Sequence, residues 1–368
     1  MRRIAISVAV STMTLSLAGC GVLDATGGVS DASPTKGDAI TVGLLLPETA
    51  NTRYARFDHP IIADKVAELT AKHGKVDYAN ANASAARQAR QMRKMVDDRV
   101  DVILVDAVDS HAIAPEVKHA KDEGIPVIAY DRLAEGPIDA YISFDNELVG
   151  EVQGRSLLDA LGSGSGVHNK IVMMNGSPTD PNARQFKEGA FSELNGKVTI
   201  AQKFDTTEWK PEIAQANMAQ TIRRMGASNI SAVYAANDGI AGGVIKALKA
   251  AGVTHLPPIT GQDAELDAVQ RIVTGEQYMS VYKSYPDEAQ AAAEMAVAKV
   301  QGKNIQFDAL TRDKVDSPTN RGIPAQLVQV SALTRRTIKQ TVIADGIYSV
   351  DAICTPKYKA ACAAAGLK

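Results

Sequence analysis

Short apolar runs alternate with amphipathic stretches along most of this chain. Ala39–Leu46, Val100–Val105, Pro126–Tyr130 and Asp139–Phe144 are apolar at successive positions, not at every second one. That pattern predicts strands buried on both faces. Between them, Ser84 is placed to cap a helix over Ala85–Asp98, with Ala89, Met92 and Val96 on one face. Ala112–Glu123 predicts a helix closed by Gly124, and Glu147–Leu161 another. The rhythm then restarts. Strands are predicted at Lys170–Met174, Val198–Phe204, Ala232–Ala235, Pro258–Gly261 and Tyr278–Tyr282. Helices are predicted at Ala183–Leu194, Pro211–Met225, Gly239–Ala251 and Leu266–Thr274, and an alanine-rich one from Tyr285 to about Val300. Leu327–Val330 and Thr341–Tyr348 predict further edge or crossover pieces. The fold class is α/β, and two similar units in series predict two doubly wound parallel-sheet lobes.

The N-terminus breaks this rhythm. Arg2 and Arg3 precede an apolar run from Ile4 to Ala18. The run is too short, and too interrupted by Ser11, Thr12, Thr14 and Ser16, to span a membrane, so it predicts a secretory signal. Leu17-Ala18-Gly19-Cys20 resembles the bacterial lipobox. The resemblance implies removal of residues 1–19 and lipid on Cys20, leaving an extracytoplasmic body anchored to a bacterial membrane through lipid only. An ordinary signal peptide with a chance cysteine is the alternative. Residues 20–38, rich in Gly, Ser, Asp and Thr, predict a flexible tether. The chain's 368 residues suffice for two hydrophobic cores. With 22% charged residues and a formal charge of −2, it carries no nucleic-acid footprint. Of its three cysteines, Cys354 and Cys362 remain after Cys20. An even pair in an oxidising compartment predicts a small disulfide loop, with metal binding as the weaker alternative.

In open α/β sheets, ligands bind beyond the carboxyl ends of the strands. Those positions are well furnished here: Asn51-Thr52-Arg53-Tyr54, Asp131-Arg132, Asp180 and Asn182, Trp209, Asn237-Asp238, Gln262-Asp263 and Lys283. A sugar offers hydroxyls that both donate and accept, around a ring with apolar C–H faces. Planar or charged Asp, Asn, Arg and Lys groups match the hydroxyls, and an aromatic ring matches the face. Trp209, the only tryptophan, lies on a predicted loop and reads either as such a platform or as core. Tyr54 reads either as a second ring or as an aromatic group packed on Arg53. Asp238, before Gly239 at a helix start, reads as an N-cap more than as a ligand contact.

Six stretches carry a wider resemblance: Ala129-Tyr130-Asp131-Arg132, residues 141–147, residues 176–180, Ala236-Asn237-Asp238, residues 261–264 and Val281-Tyr282-Lys283. With them, the chain from about Ile40 to Tyr348 resembles the sugar-binding class of periplasmic binding proteins, the solute receptors of ABC importers, and within it the xylose-binding members. The resemblance implies the type I fold of that class. Residues 39–146 plus 284–315 would form the N-terminal lobe, 147–283 plus 316–350 the C-terminal lobe, and 351–368 a tail. A hinge of three crossovers would lie near Asn146, Lys283 and Asp316. A monosaccharide, D-xylose first, would bind in the cleft, the lobes would close on it, and permease subunits would receive it. No cofactor is implied, and a monomer is.

By the same resemblance, Arg53, Asp131 and Arg132 contribute polar contacts from the N-terminal lobe. Asp180, Asn182, Asn237, Asp263 and Lys283 do so from the C-terminal lobe and its hinge, and Trp209 stacks on the pyranose. Tyr54 stands where the xylose-binding members carry a tryptophan. It keeps an aromatic face but changes its size and adds a hydroxyl. Together with Pro181, which shapes the neighbouring loop, that leaves glucose, galactose and arabinose as alternatives. Sugar sensing for a receptor kinase would use the same site. A glycoside hydrolase could use Asp131 and Asp180 as paired carboxylates. Against it, Arg132 and Arg53 are expected to keep both ionised, and the chain has no Gly-x-Ser-x-Gly, His-Glu-x-x-His or Walker loop. A repressor of this fold is disfavoured, because a signal peptide occupies the place of a DNA-binding headpiece.

Overall fold

Strands that are apolar at successive positions bury both of their faces. In β1 (Thr41–Leu46), Val42, Leu44 and Leu46 enter one core while Leu45 enters another. The computed structural model describes residues 37–49, 51–162 and 166–367. The expected signal segment, Cys20 and nearly all of the expected tether lie outside them. After β1 come a π-helical turn (Tyr54–Asp58), α1 (His59–Leu69), β2 (Lys75–Asn80), α2 (Ala85–Asp97), β3 (Val102–Val105), α3 (Ala114–Asp122), β4 (Val127–Tyr130) and β5 (Ala140–Phe144). Then follow α4 (Asn146–Leu161), β6 (Lys170–Asn175), α5 (Pro181–Leu194), β7 (Thr199–Asp205), α6 (Pro211–Met225), β8 (Ala232–Ala235), α7 (Asp238–Ala250), α8 (Leu266–Thr274) and β9 (Met279–Lys283). The chain ends with α9 (Tyr285–Val300), α10 (Asn304–Leu310), β10 (Asp313–Val315), β11 (Ile323–Val328), β12 (Val330–Thr334), α11 (Val350–Ile353) and α12 (Lys359–Ala364).

The first sheet has the order β10-β11-β5-β4-β3-β1-β2, parallel except for β10. Leu104 and Ile128 join the core made with Ile62 and Val66 of α1 and the alanine face of α9. Their neighbours Ile103 and Ala129 join Met92, Met95 and Val96 of α2 and Val117 of α3 on the other side. The second sheet is parallel in the order β7-β6-β8. Single bridges, Val233 to Ile259 and Gln262 to Val281, continue it to β9, and β12 pairs antiparallel with β9. Residues 258–261, expected as the opening of a strand, thus remain an extended segment between bridges.

The chain passes between the sheets three times, after Phe144, after Lys283 and at Gln329. The third passage corrects the expectation near Asp316. β11 pairs with β5 in the first sheet, and residues 316–328 stay on that side. Thr341–Tyr348 is neither edge nor crossover. Its backbone closes turns, Asp345 N to Thr341 O and Tyr348 N to Val342 O, with Gly346 at φ 70°. Val342, Ile347 and Tyr348 pack with Val269, Ile272 and Val273 of α8. The tail joins the same core through Ile353, Cys362 and Leu367, and a disulfide links Cys354 to Cys362 with Cα atoms 5.8 Å apart. Among the described residues, no helix is long and apolar enough to cross a membrane.

α4 and α5 cross in close contact because glycines face the partner backbone. A Cβ on Gly150 would overlap the Phe186 carbonyl, and one on Gly189 would overlap the Glu147 carbonyl. Gly189→Ala must force the helices apart, and is expected to cost about 1–3 kcal/mol in urea unfolding. An unchanged midpoint would contradict this packing.

Candidate functional site

The carboxyl ends of both parallel sheets converge on one cavity of about 430 Å³. Its walls include all ten residues singled out from the sequence: Arg53, Tyr54, Asp131, Arg132, Asp180, Asn182, Trp209, Asn237, Asp263 and Lys283. Glu48, Asn51, Phe186 and Gln262 line it as well. Nine of the ten are buried, and only Trp209 is half-buried. A concave recess with apolar surface and convergent polar groups is the form small-molecule sites take.

Three of these residues hold left-handed backbone: Asp131 (φ 57°), Trp209 (φ 56°) and Asp263 (φ 93°). Such strain in non-glycine residues persists where the surroundings over-determine it. At Asp131 the carbonyl accepts hydrogen bonds from Tyr141 Oη (2.9 Å), Ser143 Oγ (2.7 Å) and Asn182 Nδ2 (2.8 Å). At Trp209 the amide donates to Thr206 O (3.0 Å), and Glu208 N donates to Ser177 Oγ (3.2 Å). At Asp263 the amide donates to Val281 O (3.0 Å), and the carbonyl accepts from Tyr285 Oη. The buried Gln153 of α4 donates to the carbonyls of Ala235 and Gly261, fixing the strand ends that present Asn237 and Asp263.

Arg53 sits among three carboxylates. Its Nε and Nη2 donate to Asp58 (3.0 and 2.6 Å), Nη2 also donates to Glu288 (2.5 Å), and Nη1 donates to Asp131 (3.3 Å). Tyr130 Oη donates to Asp58, and the guanidinium lies 4.3 Å from the Tyr285 ring centre. Among the described residues these contacts use four of its five N–H groups, and the fifth, on Nη1, has no hydrogen bond. Arg132 bridges the lobes: its Nε is 3.0 Å from Asp180 Oδ2 and 3.5 Å from Asp106 Oδ1, and its Nη1 donates to Ala107 O. Lys283 pairs with Asp263 at 3.0 Å, with the Phe144 ring centre 5.0 Å away. Asn51 Nδ2 donates across the cleft to Asp263 Oδ2 at 3.0 Å.

Charge decides how each carboxylate behaves. Burial pushes Asp131 upward, but Arg53, Lys283 and Arg132 outweigh it and hold the group below the usual carboxylate range. At Asp180 burial wins over Arg132, and the carboxyl lies above its usual range. Arg53, Lys283 and Arg132 thus prevail over burial at Asp131, while at Asp180 Arg132 offsets burial only in part and stays paired with the carboxylate at 3.0 Å. A second correction concerns α7. Asn237 caps it, accepting from Ile240 N at 2.9 Å. Asp238 instead turns inward and accepts from Gln277 Nε2 (2.7 Å), Ser280 Oγ (2.9 Å) and Glu265 N (2.9 Å). Burial pushes it up to about 7.

Trp209 donates through Nε1 to Asp180 Oδ2 at 3.1 Å and meets Phe186 edge-on, with centroids 6.4 Å apart. Gly176 is its seat, because a Cβ there would overlap three atoms of the indole. Gly176→Ala should unseat the ring and shift the emission of this only tryptophan to the red, with circular dichroism unchanged. Unshifted emission would contradict the seat.

A family model, periplasmic binding protein domain, matches residues 42–304, and the chain belongs to that family. It is 35% identical over 318 residues to the D-xylose-binding periplasmic protein of Escherichia coli (strain K12), covering 84% of this chain and 91% of that one. It is 31% identical over 334 residues to the multiple sugar-binding periplasmic receptor ChvE of Rhizobium radiobacter, covering 85% and 92%. Among solved structures, an ABC transporter solute binding protein from Clostridium phytofermentans with bound β-D-glucose superposes with a TM-score of 0.78 at 26% identity, covering 85% of this chain and 99% of that one. The family is one of binding proteins and not of enzymes, and the hydrolase alternative falls with that assignment.

Proposed function

We propose that this chain is the extracytoplasmic receptor of an ABC importer, tethered by lipid on Cys20, which holds one monosaccharide between its lobes and presents it to the permease. D-xylose is the first candidate. The observation that carries this reading is the cavity itself, where buried Asp, Asn, Arg and Lys groups from both sheets surround the single tryptophan. Charged partners strengthen hydrogen bonds to sugar hydroxyls, and the indole offers a face for the ring. The identity with a D-xylose-binding relative supports the pentose. The β-D-glucose in a solved structure of the same fold supports a hexose as the second reading. Titration with D-xylose, D-glucose, D-galactose and L-arabinose, followed by Trp209 emission and calorimetry, decides between them. The expected result is one-to-one binding of D-xylose, micromolar or tighter. A preference for glucose selects the second reading, and silence toward all four sugars rejects both.

A further inference from the structure

We propose that Asp106 is a positioning residue that competes with Asp180 for the Arg132 guanidinium and thereby holds the lobes back from closing. Asp106 stands at the carboxyl end of β3, in the lobe that carries Arg132. Its side chain is fully buried, and among the described residues neither carboxylate oxygen receives a hydrogen bond. Among them its ion pair is with Arg132 Nε at 3.5 Å, while the same Nε lies 3.0 Å from Asp180 Oδ2. Asp180 caps α5, in the opposite lobe. One cation thus stands between two acids, one moving with it and one arriving across the cleft.

In this arrangement the arriving acid holds the closer contact. The cost falls on Asp106, a buried acid whose oxygens have no donor among the described residues, and burial pushes it well above the usual carboxylate range in spite of Arg132. Opening removes Asp180 and returns Arg132 to Asp106. Asn51 to Asp263 and Asn182 to the Asp131 carbonyl are among the other bonds across the cleft that opening must break. The guanidinium therefore has a partner in either state, and the balance between its two partners sets the open–closed equilibrium. Ligand affinity follows from that balance, since the apparent dissociation constant scales inversely with the binding-competent fraction.

The test is Asp106→Asn in the full chain. It keeps the shape, removes the competing charge and leaves Arg132 to Asp180. Small-angle scattering without sugar is expected to show the variant more compact than the wild type. Titration with D-xylose and D-glucose is expected to show about three- to tenfold tighter binding of whichever sugar the wild type accepts. A folded variant as extended as the wild type overturns the proposal, as does one that binds its sugar equally or more weakly. A variant that fails to fold also overturns it, because it would make the carboxylate a support and not a cost. The affinity arm rests on the receptor reading above. A wild type that binds no sugar rejects that reading, while the scattering arm still decides the role of Asp106.

Discussion

Arg53→Met is expected to lower the unfolding free energy by about 3–5 kcal/mol in denaturant titration. The reason is what it leaves behind. Asp58, Asp131 and Glu288 are all buried, and Arg53 is the cation that all three share. Burial pushes Glu288 well above its usual range even with Arg53 beside it. Without the guanidinium, three buried acids would lie close together with Lys283 and Arg132 acting chiefly on Asp131, and protonation would only partly relieve them. Arg53→Lys is expected to recover a minority of the loss. An ammonium keeps the charge but cannot reproduce the fork that meets Asp58 through two nitrogens while the plane lies against Tyr285. A cost for Arg53→Met below about 1 kcal/mol, the range of surface pairs, would contradict this account of the pocket.

Asp263→Ala is expected to weaken sugar binding by about 30-fold to 3,000-fold, the range for truncating one partner of a buried charge pair. Two effects combine. Lys283, buried against Phe144 and Phe186, loses its closest anion. Closure loses the bond that Asn51 makes across the cleft. The positive φ of Asp263 adds to the case for a functional role, because its backbone is held in a conformation that alanine tolerates poorly. Calorimetric titration with the preferred sugar, alongside circular dichroism, checks it. A loss under threefold in a folded variant would contradict the role assigned to this residue.

Where pattern and burial coincide, the fold was legible. Leu266–Thr274 is α8 residue for residue, and Ser84 caps α2 by accepting from Arg87 N. Consecutive apolar residues in β1, β3 and β4 report two covered faces, as the split of Leu44 from Leu45 shows. Between Tyr54 and Ser84 the pattern predicts no element, although the stretch holds a π-helical turn, α1 and β2. β2 is an edge strand with polar and half-buried residues and no apolar run, and its Tyr78 is covered locally by the His59 ring at 4.0 Å. The third passage between sheets escapes the pattern because a single residue, Gln329, separates β11 from β12, so no loop signal marks it. The same logic separates the ten wall residues from the ones that support them. The ten lie at or beyond strand ends, where chain order alone points to chemistry. Asp106 directly follows β3, so the same rule points to it as well, although its acid lies behind Arg132. Asp58 and Glu288 reach the site by tertiary packing, Asp58 from the π-helical turn and Glu288 from within α9, and no local pattern distinguishes these two from solvated acids.

A crystal structure of the protein grown with D-xylose is expected to show one sugar ring in the interlobe cavity, its face on Trp209 and its hydroxyls within hydrogen-bond distance of Asp131, Arg132, Asp180, Asn237 and Asp263. Sugar bound elsewhere, or a closed cavity left empty at saturating D-xylose, would contradict that placement.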